Sequence, residues 1–158
     1  MSEFRFELCD PETAPASDLL AEMGVELNRV YGTPSRLDVQ AVSAADLRGP
    51  TGAYLVGYED DDAVAGGGLR HLSEGVAEIK RMYVRPPARA RGVAAALLKA
   101  LEDQAFALGY RAVRLDTGPK QVHALRLYRG AGFVEVEPYN DNPFACYWAE
   151  KVLGEETR

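Results

Sequence analysis

The stretch from Met82 to Ala94 constrains the fold more than any other part of this chain. Up to Val84 it reads as a strand. From Gly92 the period becomes that of a helix, with Ala94, Leu97, Leu98, Leu101, Ala105 and Leu108 at helical spacing and Gly109 as a natural stop. A strand therefore runs into a short loop, and the loop opens a helix at small residues. The first N–H groups of a helix have no intrahelical partner and carry the positive end of its dipole, so phosphates bind there readily. Gly92 and Ala94 keep side chains out of the way of such a ligand. Lys80, Arg81, Arg85, Arg89 and Arg91 form a basic island in a chain of net charge −6. Taken alone, the island also reads as a solvated loop.

The same stretch excludes two common phosphate ligands. A nucleoside-triphosphate loop needs Gly-Lys-Ser/Thr, and a dinucleotide fingerprint needs three glycines after an early strand; here Gly92 stands alone. The acidic balance, with a pI of about 5.0, argues against nucleic-acid or anionic-membrane binding. No apolar run approaches the roughly 20 residues of a membrane span. Met1–Asp10 lacks the apolar core of a signal peptide, which makes a cytoplasmic protein the default. Cys9 and Cys146 lie far apart in apolar stretches and read as buried thiols. His71 and His123 have no ligand-spaced neighbours, so no metal site is expected.

The 158 residues fit a single domain, 1–158. Phe4, Phe6 and Leu8 alternate as a half-buried strand. Pro15 opens a helix to about Tyr31, with Leu19, Met23, Leu27 and Val30 on one face, and a short helix is expected near Ser43–Leu47. Thr51–Tyr58 and Ala63–Leu72 form a hairpin about Glu59–Asp62, and Val76–Val84 follows as a third strand. After the helix Gly92–Leu108 come a strand at Tyr110–Leu115, a helix at Gln121–Ala131, and strands at Phe133–Val136 and Ala145–Val152. Antiparallel strands followed by strand–helix–strand–helix–strand predict a mixed α/β sheet.

Within the third strand, Ile79 and Met82 are both apolar yet three residues apart, which an even pleat would put on opposite faces. A bulge near Lys80–Arg81 would restore one face. A strand buried on both faces accounts for the pattern equally well.

Arg89-x-x-Gly92-x-Ala94, after the element Val84-Arg85-Pro86, resembles the pyrophosphate signature of the GNAT superfamily of N-acetyltransferases. Ala124-x-x-Leu127-Tyr128-x-x-x-Gly132-Phe133 resembles that superfamily's second motif, and the likeness covers about residues 52–152. The resemblance implies an α+β fold with a mixed, mostly antiparallel sheet of about seven strands flanked by helices. It implies acetyl-CoA as cofactor, with pantetheine beside Met82, Tyr83 and Val84 and the pyrophosphate on the amides of Arg89, Ala90, Arg91, Gly92, Val93 and Ala94. Gln121 and Ala124 join the cofactor site, although relatives often carry Asn where Gln121 stands. The resemblance also implies that Tyr128 protonates the departing thiolate and that Glu78 accepts the amine proton. Each has a plainer reading: Tyr128 shares a helical face with Ala124, Leu127 and Ala131, and Glu78 could be a solvent-facing partner of Lys80 or Arg70.

The expected activity is transfer of an acetyl group to a primary amine of a small molecule by direct attack. A protein N-terminal or lysine acetyltransferase and a non-catalytic acyl-CoA-binding domain are the alternatives. A homodimer is an assembly relatives frequently adopt. The acceptor pocket is expected between the first helix, the hairpin and the loop Glu137–Phe144, with Glu26, Tyr31 and Tyr139 as liners. Asp18, Glu22 and Glu26 would give it an acidic rim, or form a solvated face.

Overall fold

Alternation in the first half produces an antiparallel meander. In the computed structural model, which describes residues 3–32, 42–118 and 122–154, β1 (Phe4–Leu8), β2 (Ala53–Glu59), β3 (Asp62–Ser73) and β4 (Val76–Val84) each run antiparallel to the next. α1 (Ala16–Tyr31) lies between β1 and β2 in the chain. Past Val84, Pro86 and Pro87 remove ladder donors and the strand ends in a 3-10 turn, Pro86–Ala88. α2 (Val93–Ala107) then carries the chain over one face of the sheet to β5 (Ala112–Thr117), which lies parallel to β4. α3 (Val122–Gly130), β6 (Val134–Glu135) and β7 (Tyr147–Val152) complete the order β1-β2-β3-β4-β5-β7-β6.

The two faces of this seven-stranded sheet bury different helices. Leu55, Leu69, Ile79, Val113 and Leu115 pack against Leu97, Leu98 and Leu101 of α2 and Tyr128 of α3. Tyr54, Val56 and Tyr83 point the other way, onto Ala16 and Leu19 of α1 and Leu47. Glu102 of α2 is buried and takes Lys151 of β7 at 2.8 Å, which ties α2 to the far side of the sheet.

The bulge is present. Gly66 pairs with Tyr83 and Gly68 with Lys80, so Arg81 and Met82 together oppose Gly67 alone. Arg81 takes φ +62°, the left-handed region an L residue rarely enters. The extra residue restores the face: Ile79 and Met82 both pack toward α2. Glycine is needed opposite. A Cβ at Gly67 would lie 3.0 Å from Leu101 Cδ1 and 3.3 Å from Met82 Cγ, and one at Gly66 would lie 2.3 Å from the Tyr54 hydroxyl.

Some expectations are corrected. The helix near Ser43–Leu47 is a single 3-10 turn, Ala45–Leu47. Val30, which its spacing puts on the buried face, is exposed in the last turn of α1. Cys9 is half-buried and Cys146 exposed. Each lies just outside the strand that should have buried it.

Candidate active site

Pairing between β4 and β5 is brief. Val76, Ala77 and Glu78 pair with Ala112, Val113 and Arg114, and no pair joins the two strands beyond that point among the described residues. β5 continues with β7 to Thr117. Past the Arg81 bulge the parallel strands have parted, and a cleft of about 590 Å³ opens. Met82, Tyr83 and Val84 form one wall, and Ala88, Arg89, Ala90, Gly92, Ala94 and Ala95 form the end beside α2. His123, Ala124, Leu127 and Tyr128 of α3 form the wall opposite. Most of the residues expected to hold the cofactor thus share one cavity.

The loop end has the backbone shape of an anion cradle. Ala90 takes φ +64° and Gly92 φ +85°, so the chain turns sharply before α2 starts at Val93. A Cβ at Gly92 would have no protein atom within 4 Å, so the turn just before α2 is open on that side. Val93 contributes backbone only, since its side chain is in the core.

The arginines of the basic island turn to protein carboxylates. Arg85 donates to both carboxylate oxygens of Glu22, at 2.9 and 2.7 Å, and to the Ala63 carbonyl. Arg89 donates to both oxygens of Glu26, at 2.8 and 2.9 Å, and to the Val84 carbonyl at 2.7 Å. Arg91 pairs with Glu59. The acidic repeat on α1 is therefore the counter-charge of the loop. The hydrogen bond from Arg85 holds the Glu22 carboxyl below the usual range. Glu26, expected to line the acceptor pocket, lines this cleft beside Arg89. The side chain of Tyr31 and all of Gln121 lie outside the described residues.

Tyr128 sits at the α3 wall, 8% exposed, with its hydroxyl 4.0 Å from Met82 Sδ. Burial, reinforced by Asp116 and Tyr147, pushes its pKa up, so the hydroxyl keeps its proton at neutral pH. Its ring also packs in the core, 5.9 Å from that of Phe133, so its two suggested roles coincide in space.

On the α1 face of the sheet, just before the bulge, lies a buried polar cluster. Glu78 is fully buried, where the sequence allowed a solvent-facing residue. Its Oε1 accepts from Arg70 Nε at 2.9 Å, and its Oε2 accepts from the Tyr139 hydroxyl at 2.7 Å. Lys80 Nζ lies 3.3 Å from the same Oε2 and 3.6 Å from Asp116 Oδ1. Asn140 donates to Asp116 at 2.7 Å and to Glu78 Oε2 at 3.4 Å, and accepts from Trp148 Nε1 at 2.9 Å. Asp116, Asn140 and Trp148 are absent from the sequence reading, which gives Lys80 only as a basic-island residue or a surface partner of Glu78 and His123 only as a residue without ligand-spaced neighbours. The alternation of Glu78 and Lys80 with Ala77 and Ile79 looks like an ordinary solvent face, and only the loop that folds back over it makes it an interior.

The open parallel pair, the left-handed loop at a helix start and the tyrosine on the facing helix are what the resemblance to the acyl-CoA-dependent acyltransferases leads one to expect. The family model for the acetyltransferase (GNAT) family matches residues 20–133. An IAA acetyltransferase of Azospirillum brasilense is 33% identical over 150 residues, covering 89% of this chain and 94% of that one. A Klebsiella pneumoniae structure assigned as an acyl-CoA N-acyltransferase superposes with a TM-score of 0.75 at 26% identity, over 96% of this chain and 98% of that one. A GNAT family acetyltransferase of Elizabethkingia anophelis, solved with acetyl-CoA bound, gives a TM-score of 0.66 at 19% identity over 95% and 98% of the two chains. This chain belongs to the acetyltransferase (GNAT) family. No helix among the described residues is long and apolar enough to cross a membrane.

Proposed function

We propose that this protein transfers the acetyl group of acetyl-CoA to a primary amine of a small molecule by direct attack. The observation that carries this is one continuous cleft, from the left-handed turn at Ala90–Gly92, along Met82–Val84, to Tyr128. The residues fit the cofactor. The loop end offers N–H groups to a diphosphate, alanines line the turn, and the open edge of β4 can pair with an extended amide-bearing arm. Bound there, acetyl-CoA supplies an activated acyl carbon. Met82, Tyr83 and Val84 would hold its arm, and the amides of Ala90 to Ala94 its pyrophosphate, since the Arg89 amide already donates to the Pro86 carbonyl at 3.2 Å, with Ala124 packing on the arm from α3.

The remaining steps fall to this chain's side chains. An ammonium near its usual pKa of about 10 is no nucleophile at neutral pH, so a base must take its proton; Glu78 has that role. Tyr128, kept neutral by burial, gives a proton to the departing sulfur. Cys9 and Cys146 have no histidine partner among the described residues, which supports direct attack over a covalent acyl-enzyme. Holding both reactants together lowers the barrier by on the order of 7 kcal/mol or more.

The test is thiol release from acetyl-CoA over a panel of amino acids, polyamines, aminoglycosides and short peptides. Turnover with a small amine, slowed on the order of 10²-fold in Tyr128→Phe, is the expected result. Turnover with peptides alone would make the protein a protein-modifying enzyme. No release with any amine would remove the activity, and wild-type speed in Tyr128→Phe would remove Tyr128 from the mechanism.

A further inference from the structure

The position of Glu78 raises a difficulty for any direct base role. The residue is 0% exposed, and both carboxylate oxygens already accept hydrogen bonds. An amine arriving from solvent cannot touch it. The groups that face it come from every side: Arg70 on β3, Lys80 on β4 itself, and Tyr139 and Asn140 from the loop before β7. Asp116 on β5 lies one step away through Lys80 and Asn140, and Arg114 on β5 pairs with Glu150 of β7 while stacking over the Tyr139 ring at 5.5 Å.

A group that passes a proton inward must accept one from the amine and donate one to the carboxylate. Guanidinium and ammonium groups have no lone pair to accept with, and an amide NH₂ only donates. Among the described residues around Glu78, the Tyr139 hydroxyl alone can do both. It already donates to Oε2 at 2.7 Å, and Tyr139 is itself only half-buried, so it stands between solvent and the carboxylate.

The geometry points to Tyr139 as the proton relay between the acceptor amine and Glu78, with Asn140 as the positioning residue that holds its loop down. The step balances. The amine N–H bond breaks as a new O–H bond forms at the tyrosine oxygen, and the hydroxyl's original proton passes to Glu78 Oε2. The nitrogen keeps its electron pair for the acyl carbon, the tyrosine ends as it began, and Glu78 ends as a carboxylic acid. Burial and the neighbouring Glu78 charge raise the pKa of Tyr139, so the tyrosinate is never a resting state and the hydroxyl hands the proton on. Asn140 bridges Asp116 and Trp148, which fixes the loop on β5 and β7 one residue from the hydroxyl it must aim.

This inference rests on the acetyl-transfer reading with Glu78 as base, and the test separates the two. Single-turnover rates would be measured against pH for wild type, Tyr139→Phe, Glu78→Gln and the double variant, with the best acceptor of the amine panel. Tyr139→Phe and Glu78→Gln should each be slower on the order of 10²-fold at neutral pH, with rates climbing toward the acceptor's own titration instead of levelling. The double variant should be no slower than the slower single variant. KM for acetyl-CoA should not move in Tyr139→Phe, and a purely structural role would lower the rate equally at every pH. Asn140→Ala should share the altered profile in weaker form. In mixtures of light and heavy water the wild-type rate should fall along a bowed curve, as for two protons in flight, and that of Tyr139→Phe along a straight line. A straight wild-type line overturns the relay even should the variant fail to fold. Loss in Glu78→Gln with a normal Tyr139→Phe overturns the relay and leaves Glu78 as base, and loss in neither overturns both.

Discussion

The two halves of β4 share a strand and differ in almost everything else. Val76–Glu78 is held on both edges, by β3 and by β5, and its polar side chain Glu78 is buried under four partners. Met82–Val84, four residues on, keeps β3 and has lost β5, and it faces a cleft. The change takes a few residues. Pairing with β5 ends at Glu78, and the bulge at Arg81, in the left-handed region, then keeps Ile79 and Met82 on one face. Under the proposed function, the closed half would hold the charge network for proton transfer and the open half would receive the extended cofactor.

The strongest way to break the comparison is to remove the bulged residue. Deleting Arg81 turns the bulge into a regular ladder, with Ile79, Met82 and Val84 still on the α2 face and Lys80 and Tyr83 still on the α1 face, so the variant should fold. What it loses is the local irregularity of the strand, and acetyl-CoA binding should weaken on the order of 10²-fold by calorimetry. A folded deletion variant that binds acetyl-CoA as wild type does would show that the bulge is dispensable. Gly92→Ala comes next. The site has room for a methyl but demands φ +85°, so the free protein should lose about 1 kcal/mol, while acetyl-CoA binding should weaken roughly tenfold or more by calorimetry. Equal binding would place the diphosphate elsewhere. The smallest effect is at Glu22→Gln, which removes the partner of Arg85 and should cost no more than about 0.5 kcal/mol because the pair is partly solvated. The folded-state pKa of Glu22 lies below its ordinary value of 4.5, so this contribution is present above 4.5 and is lost below it, as pH falls through the lowered folded-state pKa. Wild type and variant should therefore converge in midpoint in acid, and a gap that widened there would contradict the pairing.

Legibility in the sequence follows the same division. The open half was readable because its signals are local: Val84-Arg85-Pro86, then Arg89 to Ala94, then a helix with an unbroken apolar stripe. Even the bulge left a trace in the spacing of Ile79 and Met82. The closed half was readable only as candidates, because it is assembled from β3, β4, β5 and a loop some 60 residues from Glu78 (61 to Tyr139 and 62 to Asn140). Nothing near Lys80 or Asp116 announces that Asn140 will fold over them. The arginines misled for the opposite reason. Their proximity in sequence suggested one shared anion, whereas Glu22, Glu26 and Glu59 reach them from α1 and β2.

Amide hydrogen exchange with and without acetyl-CoA tests the central claim, that the cofactor lies along the open half of β4. Protection should rise at Met82–Val84 and at Ala90–Ala94 and stay unchanged at Val76–Glu78, which β3 and β5 already hold. Unchanged exchange at Met82–Val84 with the cofactor bound, or protection confined to another edge of the sheet, would contradict it.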